Sequence, residues 1–410
     1  MEIARKRMTR VLALGLSAVL CLTACSNSAN QTGGNNDNKQ GGTAPTSGST
    51  NISIGTLSAG SSGYNQTSAL AEGLAQGGYK VRMVPSGNGI NRVNQLLDNT
   101  AQYFVGYDEV FLGFEGMAEF AQNKIGPVEM RTVLGNSMGL TMVTTAASGI
   151  KVPSDYAGKK VPYVPGDSSV GYKTTALMAF GGVTWDDVTP VPFPSWNESV
   201  KGLLSGSVDI AQQACPPSST IYELAASAQG VAYPIYDHDD EEAWARLHEW
   251  APWIFPVTLN AEDLVGCEGD GEIELAGYVS PSLVTLASTS EEDVYNLVKT
   301  LDEQFDVYKD ALPEMVNWKI DLAGTPIQSA PIHAGTVKYM KEKGLWTDEY
   351  EEWNQEQLKR SEELQAIWET VVKEAEEKNI SDEDFEEYWV SRKAETIGGF
   401  CKLLPDFMTN

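Results

Sequence analysis

The sequence predicts a layered α/β protein with a helical extension at its C-terminal end. Three observations carry this expectation. From Asn51 to about Tyr350, short β-type runs alternate with helical ones, the pattern of sheets covered by helices. Two blocks, 52–74 and 160–180, repeat the order strand, glycine/serine loop, helix. After Leu345 the composition shifts: Thr347 to Thr396 holds 17 acidic and 6 basic residues, with Leu364, Trp368, Val371 and Val372 at helical spacing.

The elements follow in order. Arg5, Lys6, Arg7 and Arg10, then the apolar Val11 to Leu20, read as a secretory signal too short to span a bilayer. Leu22-Thr23-Ala24-Cys25 matches a bacterial lipobox, so residues 1–24 are expected to be removed and Cys25 lipidated. Ser26 to Thr50, rich in Gly, Asn, Ser and Thr, reads as a flexible tether within a 25–50 linker. Strands are expected near 52–54, 80–84, 103–105, 140–144, 160–164, 208–211, 230–233 and 283–287. Helices are expected at 64–74, 89–99, 169–180, 196–204, 220–228 and 291–308. The acidic stretch beyond residue 345 reads as an amphipathic helical extension packed on the body, with a partner-binding arm as the alternative.

Charge narrows the function. Loss of residues 1–24 removes four basic groups and one acid, leaving 25 basic against 55 acidic residues, a formal charge of −30. Such a surface repels nucleic acid and anionic lipid headgroups. Any anion must then be held locally, by backbone N–H groups and hydroxyls.

The loop Gly55 to Gly63 opening onto a helix is such a local site, because helix-start amides and the helix dipole point the same way. It has glycines with P-loop spacing at 55 and 60, but Ser61 and Ser62 stand where Lys and Ser/Thr are needed. Terminal phosphates would lack their cation, and a carboxylate suits the loop better. Gly135-Asn136-Ser137-Met138-Gly139 is a literal G-x-S-x-G, with His333 downstream. Its flanking Leu140 to Thr145 favours a strand where a nucleophile elbow needs a helix. A Ser137 esterase is therefore the weaker alternative. Asp237 to Glu242 reads as a solvated helix start, since adjacent acids cannot converge on one ion. No C-x-x-C pair exists, so no cysteine metal site is expected. Cys215 and Cys267 are either bridged or, with Cys401, free thiols. No catalytic residue, metal or cofactor is expected.

Ile54-Gly-Thr-Leu-Ser-Ala-Gly-Ser-Ser-Gly-Tyr64, followed by Ala69-Leu70-Ala71, resembles the first loop and helix of the TAXI-type solute receptors of tripartite ATP-independent periplasmic (TRAP) transporters. Further similarities follow in family order: Val84 to Asn91, Ser148 to Lys151, Asp155 to Val161, Gly166 to Ser169, Leu203 to Ile210, Pro331 to Gly335 and Tyr339 to Leu345. The departures are Leu57 for a glycine, Asn65 for a tyrosine, Asp167 for a small neutral residue, Ala334 for proline, and the long acidic tail.

The resemblance implies a type II periplasmic-binding-protein fold, two α/β lobes joined by two crossing strands. Its lobes are expected at 51–145 with 277–345, and at 146–276, followed by the extension 346–410. It implies an extracytoplasmic receptor, anchored through Cys25, that passes a small carboxylate such as glutamate or 2-oxoglutarate to a TRAP permease. A sensor built on the same fold is a further alternative. The expected ligand-binding residues are Ser58, Ser61, Ser62, Tyr64 and Asn88 in the first lobe and Asp167, Ser168 and Ser169 in the second, with Asp108 and Gln213 at strand ends. Asp167 either caps its helix or meets a ligand ammonium. Tyr64, Tyr107 and Trp196 are the aromatic candidates for the cleft wall.

Overall fold

Ile52 and Ile54 sit buried on strand β1 (Asn51–Thr56), which runs into helix α1 (Ser62–Gln76); β2 (Lys80–Pro85) likewise leads to α2 (Gly89–Leu97). β3 (Tyr103–Gly106) leads to α3 (Glu109–Glu115) and the short α4 (Glu119–Gln122). This computed structural model describes residues 50–215, 219–267, 271–324 and 328–409. The signal, lipidation and tether expectations, Cys25 included, lie outside the described residues.

Next comes β4 (Met130–Thr144), fifteen residues long. β5 (Lys160–Tyr163), α5 (Ser168–Phe180), β6 (Thr189–Pro192), α6 (Trp196–Ser205), β7 (Ile210–Cys215), α7 (Ser219–Ala226), α8 (Glu241–His248) and β8 (Ile254–Asn260) follow. The chain then forms β9 (Glu272–Leu286), α9 (Glu291–Glu303), α10 (Phe305–Tyr308), α11 (Ile320–Ala323) and α12 (Ala334–Glu342). It ends with α13 (Asp348–Lys378), α14 (Phe385–Thr396) and α15 (Asp406–Thr409).

Strands β4 and β9 are the spine. They pair antiparallel from Met130↔Leu286 to Leu140↔Ala276, with register shifts between Thr132 and Leu134 and between Gly135 and Ser137. The last residues of β9 also pair with β3, and through it β1 and β2 extend the sheet in the order β2-β1-β3-β9-β4-β7. At the other end, Glu272 to Tyr278 of β9 pair with β8, while Gly139 to Thr144 of β4 pair with β7. Two long strands thus cross between two groups of flanking strands, the type II periplasmic-binding-protein layout, and a helical extension follows. β5 and β6 form a separate parallel pair.

Both long strands exceed their sequence expectation. Thirteen of the fifteen β4 residues are buried, so the polar/apolar alternation that would mark a strand is missing. The strand expected at 230–233 reduces to one bridge, Ala232 with Thr144. The helix expected at 291–308 breaks at Gln304. One core packs Ile54, Leu70, Leu74, Val105 and Leu283 under α9 residues Val294 and Leu297. Another gathers Val143, Leu203, Ala211, Ile221 and Leu275.

The extension lies on the body, as its amphipathic pattern predicts. Leu364, Ile367, Val371 and Ala375 face inward from α13. The Trp368 ring packs on Gly126, whose φ of +77° and 2.2 Å clearance to a would-be Cβ leave room only for glycine. Arg360 donates to both oxygens of Glu115 (3.0 and 2.8 Å), and the fully buried Lys393 ammonium lies 3.1 Å from Glu115 Oε2. The last residues return to α5: the Gly166 amide donates to the Met408 carbonyl (2.8 Å), Tyr172 Oη to the Lys402 carbonyl (2.9 Å), and Phe407 packs edge-on against Tyr163 and Trp185.

Candidate functional site

Three of the residues expected to hold ligand, Ser61, Asn88 and Asp167, are helix caps, the alternative that the sequence left open for Asp167. Ser61 caps α1, its Oγ accepting from the Tyr64 amide at 3.2 Å; Asn88 caps α2 through the Asn91 amide at 2.9 Å; Asp167 caps α5 through the Val170 amide at 3.0 Å. Each cap satisfies one orphan amide and leaves others. The amides of Ser62 and Gly63 at the start of α1, and of Ser168 and Ser169 at the start of α5, have no hydrogen-bond partner among the described residues.

Two adjacent residues at the end of β3 bring these helix starts together. The Tyr107 hydroxyl packs 2.9 Å from where a Cβ on Gly63 would stand, and burial pushes its pKa well up. Asp108 reaches the other way. Its Oδ2 accepts from Ser169 Oγ (2.6 Å) and from the Lys173 ammonium, and its Oδ1 accepts from Trp253 Nε1 (2.9 Å). Lys173 also donates to Ser169 Oγ (3.1 Å) and lies 5.1 Å from the centre of the Tyr278 ring. Beside this group, Arg92 donates to Glu109 Oε1 from Nε (2.9 Å) and Nη2 (2.5 Å).

The hydroxyls of Ser61, Ser62, Ser168 and Ser169 are engaged by the protein itself, which shifts any carboxylate role of these residues to the free amides. Ser62 Oγ donates to Glu314 Oε1 (2.9 Å) and accepts from Gln66 Nε2 (3.1 Å). The Ser168 hydroxyl meets the Glu119 carboxyl. Ser58 is exposed and abuts the Gly87 turn; Tyr64 is half-buried on the first turn of α1. Gln213 lies buried on β7 opposite Thr141, with Nε2 donating to the Ala214 carbonyl. Trp196 packs into the Val143 core and donates to the Gln212 carbonyl, so of the three aromatic candidates only Tyr107 joins the Asp108 group. Below α1, the buried Gln66 Oε1 accepts from Asn136 Nδ2 (2.8 Å) and Trp318 Nε1 (2.9 Å), tying the first loop to β4 where its register shifts.

Acids outnumber bases here. Asp108, Glu109, Glu119 and Asp167 face two cations, Lys173 and Arg92, both already in ion pairs. Burial raises the Asp167 carboxyl above its usual range, and burial with the nearby Asp167 and Glu109 charges lifts Glu119 to about 7. A cationic group brought between them would relieve that repulsion.

Sequence reading missed Lys173, Arg92, Glu109, Glu119, Trp253 and Tyr278. One signal was available for Lys173: it is the sole charged residue in Ser168–Phe180, four after Ser169. The other motifs resolve plainly. Ser137 lies inside β4, so the elbow turn is missing, and both His333 ring nitrogens are engaged, with the Thr289 carbonyl and the Gly335 amide. Asp240 caps α8. Cys267 and Cys401 are free thiols, and among the described residues no cluster of His, Cys, Asp or Glu is arranged to hold a metal.

The crossing of β4 and β9 between two groups of flanking strands defines the class, a periplasmic-binding-protein architecture. The chain belongs to the NMT1-like family, whose model matches residues 54–344. Among solved structures it is similar to the aliphatic sulphonate binding protein SsuA from Escherichia coli (12% identity, 72% of this chain and 90% of that one, TM-score 0.41). It is also similar to the L-cystine solute receptor of Neisseria gonorrhoeae (14% identity, 65% and 91%, TM-score 0.34). A comparison with curated proteins finds no match. No helix among the described residues is long and apolar enough to cross a membrane.

Proposed function

We propose that the protein is an extracytoplasmic solute receptor of the TAXI type that binds an amino acid and passes it to a TRAP permease. The observation that carries this reading is the pairing of free helix-start amides with surplus carboxylates. The amides of Ser62, Gly63, Ser168 and Ser169 suit a ligand carboxylate, and Asp167 with Glu119 suits its ammonium. A plain dicarboxylate satisfies only the first half.

The proposed lobes are 51–145 with 277–345, and 146–276, flexing where β4 and β9 shift register. The Cys25 lipid would hold the receptor at the membrane while the strongly acidic surface keeps it off the headgroups. The absence of an elbow turn at Ser137 weighs against the esterase.

The test is a thermal-shift and calorimetric screen of the mature chain against amino acids and matched dicarboxylates. An amino acid is expected to bind more tightly than the dicarboxylate of equal length, and Asp167→Asn to narrow that preference. If no amino acid binds, or Asp167→Asn leaves the preference intact, the reading fails.

A further inference from the structure

A second concavity lies outside the site just described, between the family-matched body and the extension beyond it. It has a volume of about 600 Å³, within the range of small-molecule sites. Its floor carries Arg131 of β4 and His333, and Leu358 of α13 closes it from the other side. Asn354 of α13 fixes that roof, its Oδ1 accepting from the Ile332 amide at 2.7 Å.

Arg131 is the distinctive group. Its Nη1 donates to the Met130 carbonyl (2.8 Å) and to Ser361 Oγ (3.4 Å), while Nε and Nη2 have no partner among the described residues. Among the described residues no carboxylate lies within ion-pair distance of this half-buried guanidinium, in a chain with 56 acids against 29 bases. Burial outweighs the more distant Glu129 and Glu362 charges and lowers its pKa. A desolvated cation without a counter-ion is costly, and a bound anion would remove that cost.

The neighbours narrow the anion further. His333 is held neutral, its pKa pressed by burial to about 4, so it adds no second charge to the floor. At the rim Lys338 and Lys341 are matched by Glu291 and Glu351. Ile332, Val337 and Leu358 add apolar wall. One unpaired guanidinium beside apolar side chains fits a single negative charge on an apolar body.

We infer that the cavity between Arg131 and α13 binds a small organic monocarboxylate, its carboxylate on the free Nε–Nη2 edge of Arg131 and its apolar part against Val337 and Leu358. The geometry makes this a bridge between body and extension: the ligand would touch β4 on one side and α13 on the other. It is independent of the amino-acid reading, since none of these residues takes part in the Asp108 group.

The test titrates hexanoate into the mature chain by calorimetry, with hexanol, hexylamine and inorganic phosphate as comparators. Hexanoate is expected to bind with one-to-one stoichiometry and to raise the melting temperature, each comparator at least tenfold more weakly. Arg131→Gln should reduce hexanoate affinity at least tenfold with an unchanged circular dichroism spectrum. Should that variant not fold, Leu358→Trp, which fills the cavity from the α13 side, should abolish binding. Hexanol or phosphate binding as tightly as hexanoate would overturn the inference, as would affinity undiminished in the folded variants.

Discussion

Lys173 on α5 and Asp108 at the end of β3 form an ion pair with side chains only 6% and 1% exposed, linking groups 65 residues apart in the sequence. Ser169 and Trp253 complete the hydrogen bonding of the carboxylate. Breaking a buried pair strands one charge in a medium that solvates it poorly. Asp108→Leu or Lys173→Met alone should destabilise the protein by about 3–5 kcal/mol. The double variant Asp108→Leu/Lys173→Met should recover much of that loss, as denaturant melts of all four proteins would show. Additive losses would place the cost elsewhere.

Glu119 predicts a slope of stability with pH. The folded carboxyl keeps its proton to about pH 7, where an ordinary one loses it near 4.5. Between those values the folded chain binds more protons than the unfolded chain, so stability falls as pH rises through the window. Glu119→Gln should stabilise the protein at pH 8, by roughly 3 kcal/mol at most, and change little at pH 4.5. Equal effects at both pH values would contradict the assignment.

Glu115 has the opposite sign. Although burial alone would raise its pKa, Lys393 and Arg360 hold it below the usual carboxylate value. Its contribution is fully present above the unfolded carboxyl pKa and is lost as pH falls through the lower folded value. Glu115→Gln strands the buried Lys393 and should cost on the order of 3 kcal/mol at pH 7. Acid titration of the wild type, followed by the fluorescence of Trp368 and Trp389, should report release of α13 and α14 in that acidic range.

The last residues act on α5 from outside the family-matched segment. Leu404 and Met408 fill the space beside Gly171, and the Met408 carbonyl accepts from the Gly166 amide just before the Asp167 cap. Ending the chain after Leu403 should remove on the order of 3 kcal/mol of apolar burial. Hydrogen exchange should quicken from Gly166 to Tyr172, while α1 stays protected. Unchanged exchange at Gly166 would detach the tail from the site.

Much of this arrangement was legible in the sequence because it is local. The cap at Asp167, the alternation of strands with helices, and the inward face of α13 depend on residues a few positions apart. The full lengths of β4 and β9 were not legible. Their near-continuous burial erases alternation, and Gly135 and Gly139 look like breakers inside a single strand. Nor could the serine hydroxyls be known to be taken: Glu314 reaches Ser62 from 252 residues away.

The sequence by itself determined the starts of α1, α2, α5, α6, α7 and α9 to within about two residues, and with them which amides those starts leave free. Tertiary structure alone decided which charges meet there, because ion pairs such as Asp108–Lys173 and the unmatched guanidinium of Arg131 depend on which distant segments fold together and exclude water.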